Sequence, residues 1–335
     1  MELNNLTLKP DCPNHHPSFA FDDVYRTYKD DQNPEALFGK ALRYLSSLRV
    51  NHTSEQQEII RGKIMESLFH TIYGSNRIEQ AGLGWDVTRY LCYKTLHEPD
   101  SILEVNEDDS AFDEKVSDQY AADPTLRGKS KSYIVRGRRE VIQHVRAFKY
   151  IMDRFWVHGD DLMEDVIKKT HEILCKGVPI IDPGAEYLDV PYEKYAGQYR
   201  DVPVGAGNTM FVMPQYVPAK MAEMCANLKK HIGKNESLDP LSLAAKYSLR
   251  FVEIHPFQDG NGRMCRIILN AILFRYVGIF IPIGVTEEEI NEYINIKKRA
   301  SRDMEGHGEY ATFVLKKSVR SIQKLKQKVN GKKAA

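Results

Sequence analysis

Apolar residues recur every three or four positions along most of this chain, and this spacing constrains the fold more than any other feature. In residues 54–73, for example, Ile60, Ile64 and Leu68 fall on one side of a helix with 3.6 residues per turn. The same spacing predicts further helices over residues 35–48, 133–156, 162–174, 217–232, 240–254, 263–277, 287–302 and 310–329. The sequence therefore predicts a mainly α fold.

Three regions depart from helical spacing. Residues 195–214 alternate Val, Phe and Tyr around a Gly-Ala-Gly-Asn turn, which predicts a β-hairpin. Residues 98–123 carry ten acidic residues and one basic residue, Lys115, a charge run typical of a solvated loop. Residues 1–33 are polar and predict an N-terminal arm.

These patterns suggest two domains. The first, over residues 1–130, contains the arm, a long helix at about 54–80 and the acidic loop. The second, over residues 131–335, contains the hairpin and ends in a basic helix, because the last twenty residues hold eight bases and no acid.

Overall charge and cysteine content indicate which kinds of partner and which cellular compartment the sequence favours. Lys and Arg together number 47 and Asp and Glu number 46, so the charge balance favours neither nucleic acid nor an anionic membrane as a partner. The five cysteines form no C-x-x-C pair and predict free thiols in a reducing compartment. The N-terminus shows no secretory pattern, so we expect a cytoplasmic location, with a nuclear one as the alternative.

Residues 255–266 read HPFQDGNGRMCR and concentrate the chemistry of the chain. Gly260, Asn261 and Gly262 form a predicted turn between two helices. Glycines there let successive backbone N–H groups point into one concavity, and the following helix adds the positive end of its dipole. The turn therefore predicts an anion site.

The charged residues around this turn indicate which anion it holds. Arg263 and Arg266 are three positions apart, so both can reach one ligand, and guanidinium groups match phosphate oxygens. Asp259 offers a hard oxygen ligand of the kind that Mg²⁺ uses together with substrate phosphates. His255 has an unperturbed pKa near neutrality, which suits a general base. The pattern predicts a polyphosphate held beside a base.

The same twelve residues resemble the signature of the Fic family, H-x-F-x-[DE]-G-N-G-R-x-x-R. Its fixed positions are filled here by His255, Phe257, Asp259, Gly260, Asn261, Gly262, Arg263 and Arg266. The resemblance extends over roughly the last 200 residues. It implies a Fic-type helical core with a β-hairpin flap, and an activity that moves AMP from ATP to a Ser, Thr or Tyr hydroxyl of a target protein.

The resemblance also implies a role for each motif residue. His255 would deprotonate the target hydroxyl, and Asp259 would hold Mg²⁺, with Mn²⁺ as a substitute, on the α- and β-phosphates. The turn from Gly260 to Gly262 would cradle those phosphates. Arg263 would neutralise the leaving pyrophosphate, and Arg266 would orient the γ-phosphate, in keeping with a reaction that depends on positioning and charge.

The resemblance implies two further contact regions. The hairpin would be a flap that clamps the main chain of the target protein as an added strand. Its expected docking residues are Tyr199, Arg200, Val202, Val204 and Phe211. In the family a tyrosine followed by an asparagine contacts the nucleobase; Tyr293 matches the tyrosine, but no asparagine follows near Ala300, which leaves nucleotide preference open.

A second motif lies far from the first. Residues 75–79 read SNRIE, similar to the [ST]-x-x-x-E-[GN] pattern of the inhibitory helix in many Fic proteins; Ser75 and Glu79 match, and Gln80 departs from the last position. The resemblance implies that Glu79 pairs with Arg266 and keeps the γ-phosphate from binding in its productive position. One arginine cannot serve a carboxylate and a phosphate at once, so the pair would act as a two-state lock.

Three functions remain open from sequence alone. The first is a protein adenylyltransferase restrained by Glu79, acting on a protein partner and on itself. The second is a hydrolase that removes AMP, in which Glu79 positions water. The third is a nucleotide-sensing module without turnover. The sequence leaves the target protein, the activating signal and the formation of a homo-oligomer undetermined.

Overall fold

The computed structural model describes residues 18–30, 33–49, 52–102, 105–181, 189–206, 209–234, 237–300 and 307–331. Its helices, in chain order, are α1 (Pro34–Leu48), α2 (Ser54–Ile78), α3 (Trp85–His97), α4 (Phe112–Lys115), α5 (Ser117–Ala122), α6 (Lys131–Met152), α7 (Glu164–Cys175), α8 (Val217–Lys234), α9 (Pro240–Ile254), α10 (Asn261–Val277), α11 (Glu287–Ala300) and α12 (Gly308–Val329). The prediction of a mainly α fold is confirmed, and the predicted helices are present with ends that differ by a few residues.

The strands are short and form two pairs. Strand β1 (Ser18–Phe19) pairs in parallel with β4 (Ser237–Leu238). Strand β2 (Gly205–Ala206) pairs antiparallel with β3 (Thr209–Met210) and forms the predicted hairpin. The ladder of this hairpin is much shorter than residues 195–214, and residues 207–208 at its tip lie outside the described part of the chain.

Helices α9 and α10 form the centre of the molecule. Helix α10 is buried along nearly all of its length, including its polar residues Arg263, Arg266 and Asn270. Helix α9 packs against α10 and α12, while α2 packs against α3, α6, α10 and α12. The buried apolar cluster is continuous from Tyr25 to Val329, so residues on both sides of position 130 share one core. This arrangement brings the end of α2 against the start of α10.

Local capping explains where the long helix α2 begins. The side chain of Thr53 accepts a hydrogen bond from the backbone N–H of Gln56, and the Gln56 side chain accepts one from the N–H of Thr53. This reciprocal capping box satisfies two amide groups that the first turn of a helix leaves unpaired. Twenty-five residues later α2 ends beside the motif, so the helix spans the molecule and positions its C-terminal residues.

The acidic segment departs from its prediction as a solvated loop. It contains α4 and α5, and Phe112, Val116 and Gln119 are buried there. The prediction was wrong because charge dominates the composition while three residues at a spacing of three and four still supply a buried face. Helix α3 was missed for a related reason, since its buried side includes Thr88 and Thr95 as well as apolar residues.

The described part of the N-terminal arm packs against α9. Tyr25 is buried, and its hydroxyl donates to Asp239 Oδ2 at 2.8 Å. Asp239 also caps the N-terminus of α9 by accepting from the N–H groups of Leu241 and Ser242. Burial raises the pKa of Asp239 to about 6. The arm is therefore attached to the helix that leads into the motif.

Two further sequence features have structural counterparts. Cys92, Cys175, Cys225 and Cys265 are buried free thiols, whereas Cys12 lies outside the described residues. Within the described ranges, no helix combines the length and the apolar character needed to cross a bilayer.

Candidate active site

The motif forms a tight loop between α9 and α10. His255 ends α9 in the left-handed conformation, with φ of 53°, and Gly260 precedes α10 with φ of 76°. The side chain of Asn261 closes the loop, because its Oδ1 accepts from the N–H of Phe257 at 3.0 Å and its Nδ2 donates to the Phe257 carbonyl at 2.8 Å. Phe257 is fully buried beneath the loop. Asn261 therefore holds the shape of the turn through its side chain.

His171 on α7 packs against this loop, and the sequence did not predict that it belongs to the site. Its ring stacks on Phe257 at 3.6 Å between centroids. Nδ1 accepts from the N–H of Gly197 at 2.9 Å, so Nε2 carries the proton and donates to the carbonyl of Asp259 at 2.9 Å. Burial lowers the pKa of His171 to about 4, which keeps the ring neutral. No spacing in the sequence connects His171 with the motif.

His255 has the geometry of a general base. Its Nδ1 lies 3.1 Å from the carbonyl oxygen of Val252, which can only accept, so Nδ1 carries the proton and Nε2 keeps its lone pair. Burial lowers the pKa of His255 to about 4, and the nearby cations Arg200 and Lys297 act in the same direction. The imidazole is neutral at physiological pH and able to take up a proton at Nε2.

Two residues of the predicted flap contact the His255 segment directly. The ring of Phe211 stacks on the His255 imidazole, with centroids 3.8 Å apart and an interplanar angle of 11°. Arg200 is 5% exposed and donates to the carbonyls of His255 at 2.6 Å, Val202 at 3.0 Å and Val212. The hairpin is thus held against the loop that carries His255.

The other expected flap residues differ in exposure. Tyr199 faces inward, where its hydroxyl donates to Glu164 Oε1 at 2.7 Å and its ring lies under the ammonium group of Lys168. Val202 is 40% exposed and Val204 is half-buried. Of the expected docking residues, Val202 and Val204 have surface free for a partner, whereas Tyr199 and Arg200 are engaged within the chain.

Arg263 has unused hydrogen-bonding capacity beside the turn. The residue is 3% exposed, and its Nη2 donates to Asp259 Oδ2 at 3.2 Å. Its Nε and Nη1 are buried and have no hydrogen-bond partner among the described residues. Burial lowers the pKa of Arg263, but the nearby acidic groups, with Asp259 the strongest of them, together outweigh burial and raise the pKa. A permanently charged guanidinium with unpaired donors fits an anionic ligand.

Asp259 is the one acidic residue of the motif that could hold a metal ion. Its side chain is 40% exposed. No group of three or more His, Cys, Asp or Glu residues in the described part of the chain is arranged to hold a metal ion. Mg²⁺ in phosphate-transfer sites commonly binds through one or two carboxylates together with phosphate oxygens and water, a role that the exposed Asp259 carboxylate fits.

Arg266 is held by the end of α2. Its Nε donates to Ser75 Oγ at 2.9 Å, and its Nη2 donates to the Ser75 carbonyl at 2.9 Å and to Glu79 Oε1 at 2.6 Å. Arg266 and Ser75 are 2% and 1% exposed. The Glu79 carboxylate also lies over Gly262, since a Cβ at that glycine would come within 2.1 Å of Glu79 Oε1. The structure brings the two distant motifs into contact.

A second set of hydrogen bonds positions the turn after α2. Asn76 Oδ1 accepts from His144 Nδ1 at 2.9 Å, and Glu140 Oε2 accepts from the N–H of Gly82 at 2.6 Å. Between them, Gln80 has φ of 53°, a left-handed conformation that glycine and asparagine adopt more readily. The position at which this chain departs from the [GN] of the inhibitory pattern is thus the position of positive φ.

Tyr293 lies beside Arg266 and is only 3% exposed. The Arg266 guanidinium lies 5.8 Å from its ring centroid, and the Lys297 ammonium lies 5.4 Å from the same ring. Lys297 also donates to Cys265 Sγ at 3.2 Å. Tyr293 is therefore close to the arginine, but it presents little free surface to a nucleobase in this structure.

Comparison with known families agrees with this geometry. The Fic/DOC family profile matches residues 161–273, which include α7, the hairpin, α9 and the motif. A Fido domain-containing protein of Dictyostelium discoideum is 36% identical over 106 residues, which cover 32% of this chain and 72% of that protein. The region matched by the family profile contains the loop described above.

Other relatives are larger proteins. Protein adenylyltransferase fic-1 of Caenorhabditis briggsae is 33% identical over 170 residues, covering 50% of this chain and 29% of that protein. Protein adenylyltransferase Fic of Nematostella vectensis is 26% identical over 254 residues, covering 75% of this chain and 46% of that protein. The chain therefore spans less than half the length of these two relatives.

A solved structure has the same fold. Residues 134–508 of Fic-1 from C. elegans superpose with a TM-score of 0.64 at 21% identity, covering 89% of this chain and 73% of that one. This similarity includes the N-terminal helices as well as the region matched by the family profile.

Proposed function

This chain belongs to the Fic/DOC family, and on that premise we propose that it is a protein adenylyltransferase. It transfers AMP from ATP to a Ser, Thr or Tyr hydroxyl of a protein, itself included, and releases pyrophosphate. The observation that carries the proposal is the state of His255, whose Nδ1 is bound to the Val252 carbonyl and whose Nε2 keeps its lone pair. A neutral base at the edge of an anion-binding turn suits hydroxyl attack on a phosphate.

The proposed reaction balances with the groups present. Nε2 of His255 accepts the proton of the target hydroxyl, and the hydroxyl oxygen forms a bond to the α-phosphorus of ATP. The bond between the α-phosphorus and the bridging oxygen breaks, and pyrophosphate leaves. Arg263, whose unpaired donors lie beside the turn, stabilises the negative charge on the leaving group.

Asp259 and the turn residues fit a magnesium–nucleotide complex. Asp259 is the accessible carboxylate, Gly260 supplies the positive φ, and the N-terminus of α10 favours phosphate. When bound, Mg²⁺ or Mn²⁺ would neutralise part of the negative charge on the α- and β-phosphates. Arg266 would orient the γ-phosphate once Glu79 releases it.

The contact between Glu79 and Arg266 supports an inhibited resting state. Arg266 cannot bind the γ-phosphate while its Nη2 is paired with Glu79 Oε1 at 2.6 Å. The Glu79 carboxylate also takes up space over Gly262 that a phosphate would need. Both effects act against productive binding of ATP, so wild-type transfer is expected to be slow.

The test compares the transfer of AMP labelled at the α-phosphate by three proteins. Glu79→Gly is expected to label itself or proteins of a lysate in the presence of Mg²⁺, whereas Glu79→Gly combined with His255→Ala is expected not to. Glu98→Gly is the matched control, because Glu98 also caps a helix C-terminus but its side chain binds, among the described residues, only Lys94. The proposal fails if Glu79→Gly binds Mg-ATP and never transfers the label.

A hydrolase that removes AMP is the second candidate, and one observation favours it. The Glu79 carboxylate lies over Gly262 and is still 36% exposed, so it could position water at the phosphate turn. In that case wild type would strip AMP from a modified protein, and Glu79→Gly would lose this activity. A sensing module without turnover predicts instead that nucleotide binds without any release of pyrophosphate.

A further inference from the structure

A cavity of about 410 Å³ lies outside the motif, on the face of α6 opposite His144. We refer to it as the α6 cavity; its wall includes Val105, Arg139, Ile142, Gln143, Arg146 and Lys176. Its volume is in the range of sites that bind small molecules. Neither the transfer chemistry nor the contact between Glu79 and Arg266 uses any residue of this wall.

Gln143 gives the first indication that the α6 cavity is a binding site. The residue is 6% exposed, and its amide forms no hydrogen bond with any described residue. The surface that Gln143 retains faces the cavity. A ligand there could therefore bind the amide in place of solvent, without breaking a hydrogen bond to another described residue.

The charge of the wall gives the second indication. The side chains of Arg146 and Lys176 form no ion pair or hydrogen bond with any described residue, and within the same ranges Arg139 binds only neutral groups, among them Asn106 Oδ1 at 2.7 Å. Among the described residues of the wall, Glu193 is the one acidic residue. Cations that have no carboxylate partner in the described part of the chain, beside an amide open to the cavity, favour an anionic ligand.

The rest of the wall is apolar. Val105 and Ile142 are 5% and 7% exposed and line the cavity together with Val135 and Pro179. Bare inorganic phosphate would leave this surface without contacts. A ligand that joins an anionic group to an apolar body would satisfy both parts of the wall.

We propose that the α6 cavity binds a small organic anion, in which a phosphate or carboxylate is attached to an aromatic or aliphatic group. Arg146 and Lys176 bind the anionic end together with the Gln143 amide, and Val105 and Ile142 contact the apolar end. The cavity adjoins Gly177, two residues after the end of the helix that carries His171. This site does not depend on the proposed transfer of AMP.

The test measures binding of phenyl phosphate and benzoate to the full chain by isothermal titration calorimetry. Arg146→Gln removes an unpaired charge, and Gln143→Leu removes the amide while keeping the side-chain volume. Each is expected to weaken binding of the preferred probe at least about tenfold, the loss of one charge-assisted hydrogen bond. Arg320→Gln, at an exposed base of α12, is expected to leave binding unchanged.

Control ligands and one motif variant separate this site from the alternatives. Inorganic phosphate and benzyl alcohol should each bind at least tenfold more weakly than the preferred probe, since each lacks one half of the ligand. Binding that is lost in Arg263→Gln but kept in Arg146→Gln would place the probe at the motif and overturn the proposal. The absence of any binding below roughly 10 mM would also overturn it. Circular dichroism and thermal melting would establish that the variants are folded.

Discussion

The carboxylate of Glu79 lies 2.6 Å from Nη2 of Arg266, although 187 positions separate the two residues in the chain. Ser75, one helical turn before Glu79, holds the same guanidinium with its hydroxyl and its carbonyl. The arginine is therefore fixed by three acceptors from one helix end. Any ligand that needs Arg266 must compete with all three.

Ser75→Ala is expected to weaken this hold without removing it. Loss of a hydrogen bond to a charged group costs about 1.5–3 kcal/mol, so Arg266 should be released more often. Initial rates of AMP transfer should lie between those of wild type and Glu79→Gly. Ser67→Ala, on the same helix and without a side-chain hydrogen bond to any described residue, is the control. A Ser75→Ala rate equal to wild type would contradict a role of Ser75 in the lock.

Phe211 is expected to control the proton affinity of His255. Its ring covers one face of the imidazole, and burial lowers the pKa of His255 to about 4 from an ordinary value of 6.5. Phe211→Ala admits water and should raise that pKa towards 6.5. Because protonated His255 cannot act as a base, activity should then fall at a higher pH.

The measurement is the pH profile of AMP transfer in two proteins that both carry Glu79→Gly. With Phe211 present, the rate should stay level from about pH 8 to pH 5. With Phe211→Ala, the acidic limb should move into the window between 4 and 6.5. Superimposable acidic limbs would show that the stacked ring does not influence the base.

Gln80→Gly is expected to stabilise the fold. A side chain in the left-handed conformation costs roughly 1–2 kcal/mol, while glycine loses roughly 0.5–1 kcal/mol more entropy on folding, so the net gain should be about 0.5–1 kcal/mol. Urea denaturation measures the difference. The control is Gln323→Gly within α12, where helical φ predicts a loss of about 1 kcal/mol. Destabilisation by both variants would contradict the assignment of strain to Gln80.

Arg200→Lys is expected to loosen the attachment of the hairpin. The guanidinium serves carbonyls of His255, Val202 and Val212, and an ammonium group cannot reach all of them at once. We expect a loss of about 2 kcal/mol in denaturant unfolding and a lower rate of transfer in the Glu79→Gly background. Arg250→Lys, at an exposed ion pair on α9, should change neither quantity. Unaltered stability in Arg200→Lys would mean that these contacts do not hold the hairpin.

Helices could be predicted from the sequence where one side of the helix is buried and consists of apolar residues. Helix α2 carries Ile60, Ile64 and Leu68 at regular spacing, and its predicted position agrees with the structure. Helix α3 was missed because Thr88 and Thr95 occupy part of its buried face. Hydrophobic periodicity detects a helix by the apolar residues on its buried face. A buried face that includes threonine hydroxyl groups is therefore not detected.

The motif residues were predictable because their chemistry requires a fixed local spacing. The residues that hold the motif in place were not predictable. His171 and His144 contact the site only because α7 and α6 pack against it. The sequence around a buried histidine does not show which distant residues that histidine contacts. Arg200 was expected to be a docking residue for the target protein. Its side chain lies inside the chain instead, a position that depends on the path of the hairpin.

The sequence by itself determined the mainly helical fold and the order of groups in residues 255–266, because both depend on neighbours within a few positions. The contact between Glu79 and Arg266 was expected from the resemblance and is present in the structure. Only the tertiary structure decided that Phe211 covers His255 and that His171 binds the Asp259 carbonyl. Those contacts depend on how helices α2, α7 and α10 and the hairpin pack around a common core. Packing is set by the sum of many side-chain volumes, which no single stretch of sequence contains.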